Sequence, residues 1–190
     1  MWMVYDKARE LDMALRIAHL STFYHTSILL MARGDLHRLL GTDVDWKLFG
    51  TGPAIVNAFE KGEIDLAYVG LPPSLIGISR GINIVCVAGG HIEGTVLAGQ
   101  KEFIGFPEEQ NLRSVLLQFV GKNVGVPGKG SLHEVIIADC LKRFDLANEV
   151  AIISFPWADQ VLEAAVRGDV SAVVGTPALA VAVKTYAGGK

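Results

Sequence analysis

The sequence predicts an α/β fold, two-lobed, with mostly parallel sheets flanked by helices, and three observations carry that reading. Short, wholly apolar runs alternate with amphipathic stretches along the chain, the pattern of strands covered on both faces. Glycine and proline punctuate the ends of these runs: 21 glycines and 7 prolines in 190 residues suit a chain with many tight strand-to-helix turns. One unit is also written twice, because "AFEKGEIDLAYVGLPP" at 58–73 returns as "AAVRGDVSAVVGTP" at 164–177.

Taken in order, "ALRIAHL" (14–20) reads as a strand, 24–41 as a helix stopped by Gly41, and "VDWKLF" (44–49) as a second strand. A helix starts at Pro53 behind Thr51 and ends at Gly62, with proline inside the start and glycine past the end. "IDLAYVG" (64–70) is a third strand, 72–81 a short helix between Pro72 and Gly81, and 82–89 and 94–99 are further strands. The stretch "AGQKEFIGFPEEQN" (98–111) is polar, aromatic and proline-bearing. It marks the lobe boundary: 14–97 is the first lobe, 98–102 the hinge and 103–190 the second lobe. The second half then repeats the grammar, with helices at 108–121, 131–144, 158–168 and 177–189 and strands at 122–128, 149–156 and 170–175. Ser131 with Glu134 three residues on forms a capping box.

The repeat has a physical reading. A helix that must stop sharply places glycine (Gly62, Gly168) in the left-handed conformation. The buried strand that follows delivers the chain to its carboxyl edge, where "GLPP" and "GTP" turn it into the next helix with backbone N–H groups facing outward. Two such lips, one per lobe, facing one another make a cleft.

Composition excludes several classes. The net charge is −3 and no Lys/Arg block occurs, so nucleic acid is not expected as a partner. Cys86 and Cys140 both sit in apolar surroundings without C-x-x-C spacing and read as buried thiols. Charges at Asp6, Lys7, Arg9, Glu10 and Asp12 interrupt any signal-peptide core. The chain as written therefore reads as cytoplasmic, and an extracytoplasmic role calls for a leader already removed. No apolar run is long enough to cross a bilayer. G-x-S-x-G, P-loop and H-E-x-x-H patterns are missing, and His91 with Glu93 has no third ligand at metal spacing. No catalytic residue, metal or cofactor is expected.

"WKLFGTGPAIVNAFEKGEIDLAYVGLPPSLIGISRGINIVCVA" resembles the first lobe of type II periplasmic-binding-protein folds. The group concerned holds the nitrate, taurine and aliphatic sulfonate binders of ABC importers and the related thiamine-pyrimidine proteins. The resemblance rests on Gly52 and Pro53, on Gly62, Ile64 and Asp65, and on Gly70 and Pro73. "GKNVGVPGKGSLHEVIIADCLKRFDL" and "ADQVLEAAVRGDVSAVVGTPAL" resemble the start of the second lobe and its second helix-strand-turn. The resemblance implies a small-molecule ligand, anionic at one end, held between the lobes at the carboxyl ends of strands, with an ABC permease as partner. It implies ligand-facing roles for Ser21, Thr22, Tyr24, His25, Thr51, Gly52, Gly70, Leu71, Ser74, His91, Glu93, Thr95, Lys129, Ser131, His133 and Thr176. Leu71 stands where sulfonate and nitrate binders often carry a polar residue, which points to a ligand with an apolar body.

Each of these residues also has a plainer role. Thr51 and Ser131 are ordinary N-caps, Gly62 and Gly168 structural, His133 a solvated residue of a first turn, and Trp46 and Phe49 core. An enzyme on the same fold, of thiamine-pyrimidine or menaquinone-pathway type, is the alternative, and would use Lys129, His25 or His91. A regulator's effector domain ranks last, since the residues before 14 cannot supply a DNA-binding helix pair. The family pattern continues with a segment that returns to the first lobe. Without it the first lobe is expected to be incomplete, with an apolar helix face or strand edge covered by a homodimer through the outer helices beside its second and third strands, or by the missing segment.

Overall fold

A computed structural model describes residues 2–4, 14–20, 26–89 and 94–189. The chain divides into two compact units, Met1–Ile92 and Glu93–Lys190.

The first unit runs β1 (Trp2–Val4), β2 (Leu15–Leu20), α1 (Thr26–Met31), α2 (Leu36–Leu40), β3 (Val44–Phe49), α3 (Gly52–Glu60), β4 (Leu66–Ala67), α4 (Leu71–Ser79) and β5 (Ile84–Cys86). Its sheet has the order β3-β2-β4-β1-β5. β2 is parallel to β3 and β4, while β1 lies antiparallel between β4 and β5. Ala18, Ile55, Val56, Phe59, Ile64 and Ala67 form its core.

The second unit runs β6 (Val96–Gly99), α5 (Leu112–Leu117), β7 (Asn123–Pro127), α6 (Leu132–Arg143), β8 (Ala151–Phe155), α7 (Ala158–Arg167), β9 (Ala172–Gly175) and α8 (Pro177–Tyr186). The order here is β6-β9-β7-β8, with β7 parallel to β8 and β9 and with β6 antiparallel to β9. Strand β9 is buried throughout. Ala172 and Val174 join one apolar cluster with Val124 and Leu141, and Val173 joins the opposite one with Val161 and Leu179, as a period of two requires.

The two sheets follow one plan. β2, β3, β4 and the antiparallel β1 stand to one another as β7, β8, β9 and the antiparallel β6 do. The written repeat is the α3–β4–α4 passage matched by α7–β9–α8. Both copies turn through a left-handed glycine, Gly62 at φ 66 and Gly168 at φ 77. In both, the residue after it donates its N–H back into the helix, Glu63 to the Ala58 carbonyl and Asp169 to the Ala164 carbonyl, each at 2.9 Å. That is the Schellman closure, which satisfies a carbonyl the helix end leaves orphaned.

Several expectations are corrected. The single helix over 24–41 is two, α1 and α2, separated at 32–35, where Arg33 forks onto the Asp35 carboxylate and Gly34 interrupts the helical run. Cys86 is exposed and Cys140 half-buried, because β5 buries Ile84 and leaves Val85 and Cys86 outward. The strand over 94–99 pairs with β9 and so lies in the second unit, and 98–102 holds the last residues of β6 and the turn after it. Strand β1 was not foreseen; it takes the antiparallel place in the first sheet. Trp46 and Phe49 are half-buried, Trp46 meeting the His19 ring edge-on at 6.0 Å. Leu71, Leu75 and Ile78, spaced along one side of α4, stand exposed, an apolar helix face of the kind expected in the first unit. Among the described residues no helix is long and apolar enough to cross a membrane.

Glycine acts differently at Gly52. A Cβ there would fall 2.6 Å from Pro73 Cγ, and one at Gly77 would fall 2.6 Å from Val56 Cγ1. These two glycines let α3 and α4 pack side by side. Around Gly62 there is open space, so its requirement is conformational alone. We therefore expect Gly62→Ala to destabilise by about 1–2 kcal/mol and Gly62→Asn by clearly less, since asparagine tolerates the left-handed region. Gly52→Asn should cost at least as much as Gly52→Ala, because any Cβ collides. Urea unfolding of the four variants checks this, and equal costs for Ala and Asn at position 62 would remove the conformational explanation.

Candidate functional site

In a parallel sheet each strand's carboxyl end feeds the N-terminus of the following helix, so the strand order fixes which N-termini share an edge. In the first unit β3 leads through Thr51 into α3, and β4 leads through Gly70 into α4. The Gly52–Pro73 contact brings these two N-termini together. Thr51 caps α3, its hydroxyl oxygen accepting from the Ala54 N–H at 3.3 Å. Gly70 caps α4 without a side chain. Ser74 is fully buried and donates its hydroxyl to the Gly70 carbonyl at 3.0 Å, so it closes the first turn of α4 and has no open face. Leu71, the first residue of α4, is 56% exposed.

The position of β4 depends on a charged fork. The Arg16 backbone N–H and Nε donate to Asp65 Oδ2 at 2.9 and 3.1 Å, and Nη2 donates to Oδ1 at 3.0 Å. The hydrogen bond that Arg16 donates to Asp65 raises the Arg16 pKa above its ordinary value against the opposing effect of burial. The aspartate of the G-x-[IV]-D pattern thus ties β4 to β2.

In the second unit, Ser131 caps α6 by accepting from the Glu134 N–H at 3.2 Å, and Thr176 caps α8 by accepting from the Leu179 N–H at 3.2 Å. The capping box does not close on the Ser131 N–H, which donates to the Gly128 carbonyl at 3.1 Å; the Glu134 carboxylate accepts instead from the Gly130 N–H, and its other oxygen accepts from Ser154 Oγ at 3.0 Å. Lys129 is exposed at the turn between β7 and α6. His133 is 7% exposed and pairs through Nδ1 with Thr95 Oγ1 at 3.2 Å. This corrects the expectation of a solvated histidine: the first turn of α6 lies over the chain entering β6, and the imidazole is enclosed there.

Ser21, Thr22, Tyr24, His25, His91 and Glu93 lie outside the described residues. Of the rest, Thr51, Gly52, Gly70 and Leu71 gather at one edge of the first unit, and Thr95, Lys129, Ser131 and His133 gather around the start of α6, with Thr176 at the start of α8. One residue was missed. Ser27, in the first turn of α1 behind β2, is fully buried and its hydroxyl has no hydrogen-bond partner among the described residues. Its only signal in the sequence is its place at a helix start after an apolar strand. No group of three or more His, Cys, Asp or Glu side chains suited to a metal occurs among the described residues.

The sequence matches the NMT1-like family over residues 8–189. It is 26% identical over 142 residues to the taurine-binding periplasmic protein of Escherichia coli (strain K12), a match covering 73% of this chain and 41% of that protein. Among solved structures, the alkanesulfonate-binding protein SsuA from Xanthomonas axonopodis pv. citri bound to MOPS superposes with a TM-score of 0.67 at 19% identity, over 95% of this chain and 61% of that one. A zinc-bound ligand-binding component of an ABC-type import system from Staphylococcus aureus gives 0.67 at 18% identity, over 90% and 57%. The fold is that of periplasmic-binding-protein-like α/β structures. The chain spans less than half the length of the taurine-binding relative.

The caps give a direct test of the site's construction. Ser131→Ala and Thr176→Ala should each destabilise by about 1 kcal/mol. Glu134→Gln, which keeps an acceptor for Gly130 and Ser154, should cost less than Glu134→Ala. Chemical denaturation reads all four, and an undiminished stability of Glu134→Ala would show that the carboxylate's bonds to Gly130 and Ser154 contribute nothing.

Proposed function

The chain belongs to the NMT1-like family, and from that premise we propose that it is a small-molecule binder of the solute-binding type, serving an ABC permease and taking an organic anion at helix N-termini on the carboxyl edges of its sheets. The observation that supports this most is the convergence of α3 and α4 in the first unit, where Gly52 abuts Pro73. Two nine-residue helices bring their positive ends to one place; Pro53, Pro72 and Pro73 carry no N–H, so the first-turn amides left to meet an anionic head group are those of Gly52 and Leu71. The Thr51 hydroxyl accepts from the helix and keeps its own proton to donate outward.

Leu71 favours an anion with an apolar body over bare nitrate, since its exposed side chain offers contact to methylene groups. At α6 the chain's own Glu134 carboxylate already takes the Gly130 amide, so the anionic end of the ligand belongs to the first unit. Amide and hydroxyl donors hold charge but do not take up and release protons near neutral pH, and the reading includes no turnover.

Isothermal titration with taurine, methane- to hexanesulfonate, carboxylates and nitrate tests this. Alkanesulfonates should bind, more tightly as the chain lengthens, and nitrate should not. Thr51→Ala should weaken binding about tenfold, a loss of ~1.4 kcal/mol, and Leu71→Ser should weaken hexanesulfonate while leaving methanesulfonate unchanged. Equal affinity for nitrate and hexanesulfonate, or binding indifferent to positions 51 and 71, would overturn the assignment. Product formation abolished by Lys129→Ala, His25→Ala or His91→Ala would replace it with the enzyme reading.

A further inference from the structure

Strand β3 is an edge of the first sheet: β2 lies on one side of it, and among the described residues no strand pairs with the other. Its pairing with β2 decides which backbone groups the free side offers. Leu15 stands opposite Val44 and donates its N–H to the Asp43 carbonyl at 2.8 Å. In a parallel ladder this turns the backbone groups of Asp43, Asp45, Lys47 and Phe49 toward β2, and those of Val44, Trp46 and Leu48 outward.

The side chains of β3 divide by the same period of two. Val44, Trp46 and Leu48 make one face wholly apolar, and Leu48 is 54% exposed. Asp45 and Lys47 share the other face, where they pair with each other at 2.8 Å. A lysine on an edge strand ordinarily repels a second strand. With an aspartate two residues before it, the strand carries both halves of a cross-strand ion pair.

We propose that the edge of β3 is the interface of a homodimer, in which two copies pair antiparallel about a twofold axis through Trp46 and join their sheets into one. In this register Val44 faces the partner's Leu48, Trp46 faces its own equivalent, and Asp45 faces the partner's Lys47, the last pair occurring twice by symmetry. The outward groups of Val44, Trp46 and Leu48 then make the ladder. Asp45 and Lys47 fall on the non-hydrogen-bonded positions, where facing side chains come closest.

The charges single out this register. Centring the pair on Asp45 or on Lys47 sets that residue against its own equivalent, and centring on Val44 sets Asp45 against Asp43. Like charges directly opposite are destabilising. Centring on Leu48 leaves Lys47 against Phe49, and a register that sets an outward residue opposite an inward one makes no ladder. The apolar face has room for a partner: a cavity of about 280 Å³ lies against Val44 and Trp46, walled also by Leu30, Met31 and Leu36. That is the face which receives the partner's Trp46 and Leu48. Strand β8, the matching edge of the second sheet, carries no charge and so has nothing to select a register. The dimer expected on the outer helices beside this strand is thereby moved to the strand edge itself.

Sedimentation velocity of the whole chain tests this, with no ligand in the measurement. The protein should be dimeric at micromolar concentration. Asp45→Lys and Lys47→Asp each set like charges face to face, and each should weaken the dimer by about tenfold or more. The two combined exchange the charges and should restore it to within about threefold, which separates lost pairing from lost folding. Hydrogen exchange should slow on dimerisation at the amides of Val44, Trp46 and Leu48 and stay unchanged at those of Asp45 and Lys47, which already face β2. Ile153→Lys on β8 should leave the dimer intact. A monomer throughout the micromolar range overturns the proposal. So does a dimer indifferent to the single reversals, a double variant that stays monomeric, or a dimer dissociated by Ile153→Lys.

Discussion

The fold rests on one constraint, imposed twice: a helix must end, reverse and enter a strand that has no solvent face. Gly62 and Gly168 make the reversal in the left-handed region, and the paired bonds from Glu63 to Ala58 and from Asp169 to Ala164 close the helix end behind them. Since the next strand pairs at once, Asp65 donating to the Arg16 carbonyl and Ser171 to the Asn123 carbonyl, the turn sets the strand's register. The register in turn sets where the strand ends and the next helix begins. The position of each helix N-terminus is therefore decided eight residues upstream of its cap, from Gly62 to Gly70 and from Gly168 to Thr176, in the geometry of a glycine.

Much of this was legible because it depends on residue type. Left-handed glycines, proline at the first turn and hydroxyl caps each have a local physical cause, and the sequence shows them at Gly62, Gly168, Pro53, Thr51, Ser131 and Thr176. What stayed hidden depends on partners distant in the chain. Strand β1 is three residues long, too short for any periodicity, and its place is defined only by its pairing with β4 and β5, more than sixty residues on. Likewise, "INIVCVAG" reads as a uniformly apolar strand, yet β5 stands at the sheet edge and buries Ile84 alone, leaving Val85 and Cys86 exposed. The strand over 94–99 carries no mark of which sheet it will join; pairing with β9 decides that.

The candidate site divides in the same way. That Thr51 and Ser131 would cap helices followed from spacing. That Ser74 would be spent on the Gly70 carbonyl, that His133 would be enclosed against Thr95, and that Ser27 would be buried with no partner among the described residues did not. These outcomes turn on burial, which a hydroxyl or imidazole in a sequence does not announce. Glu134 shows how much that matters. Its spacing was plain, but the second oxygen's bond to Ser154, twenty residues on, makes the carboxylate a fixed part of the α6 N-terminus.

Equivalent strands in the two units are held by different chemistry, and the difference follows from their lengths. β4 has two residues in its ladder, whereas β9 has four and is buried on every one. Two ladder residues bury too little apolar surface to fix a strand on their own. The position before β4 is accordingly an aspartate forked by Arg16, while its counterpart before β9 is Ser171, which needs no charge because Val170, Val173 and Val174 supply the packing. A half-buried charge pair between neighbouring strands costs more to break on one side than to omit altogether. The first unit is therefore sensitive to the loss of either Arg16 or Asp65 alone, in a way the second, built on the same plan, is not. The motif that marks the family in the sequence is, in this chain, the compensation for a short strand.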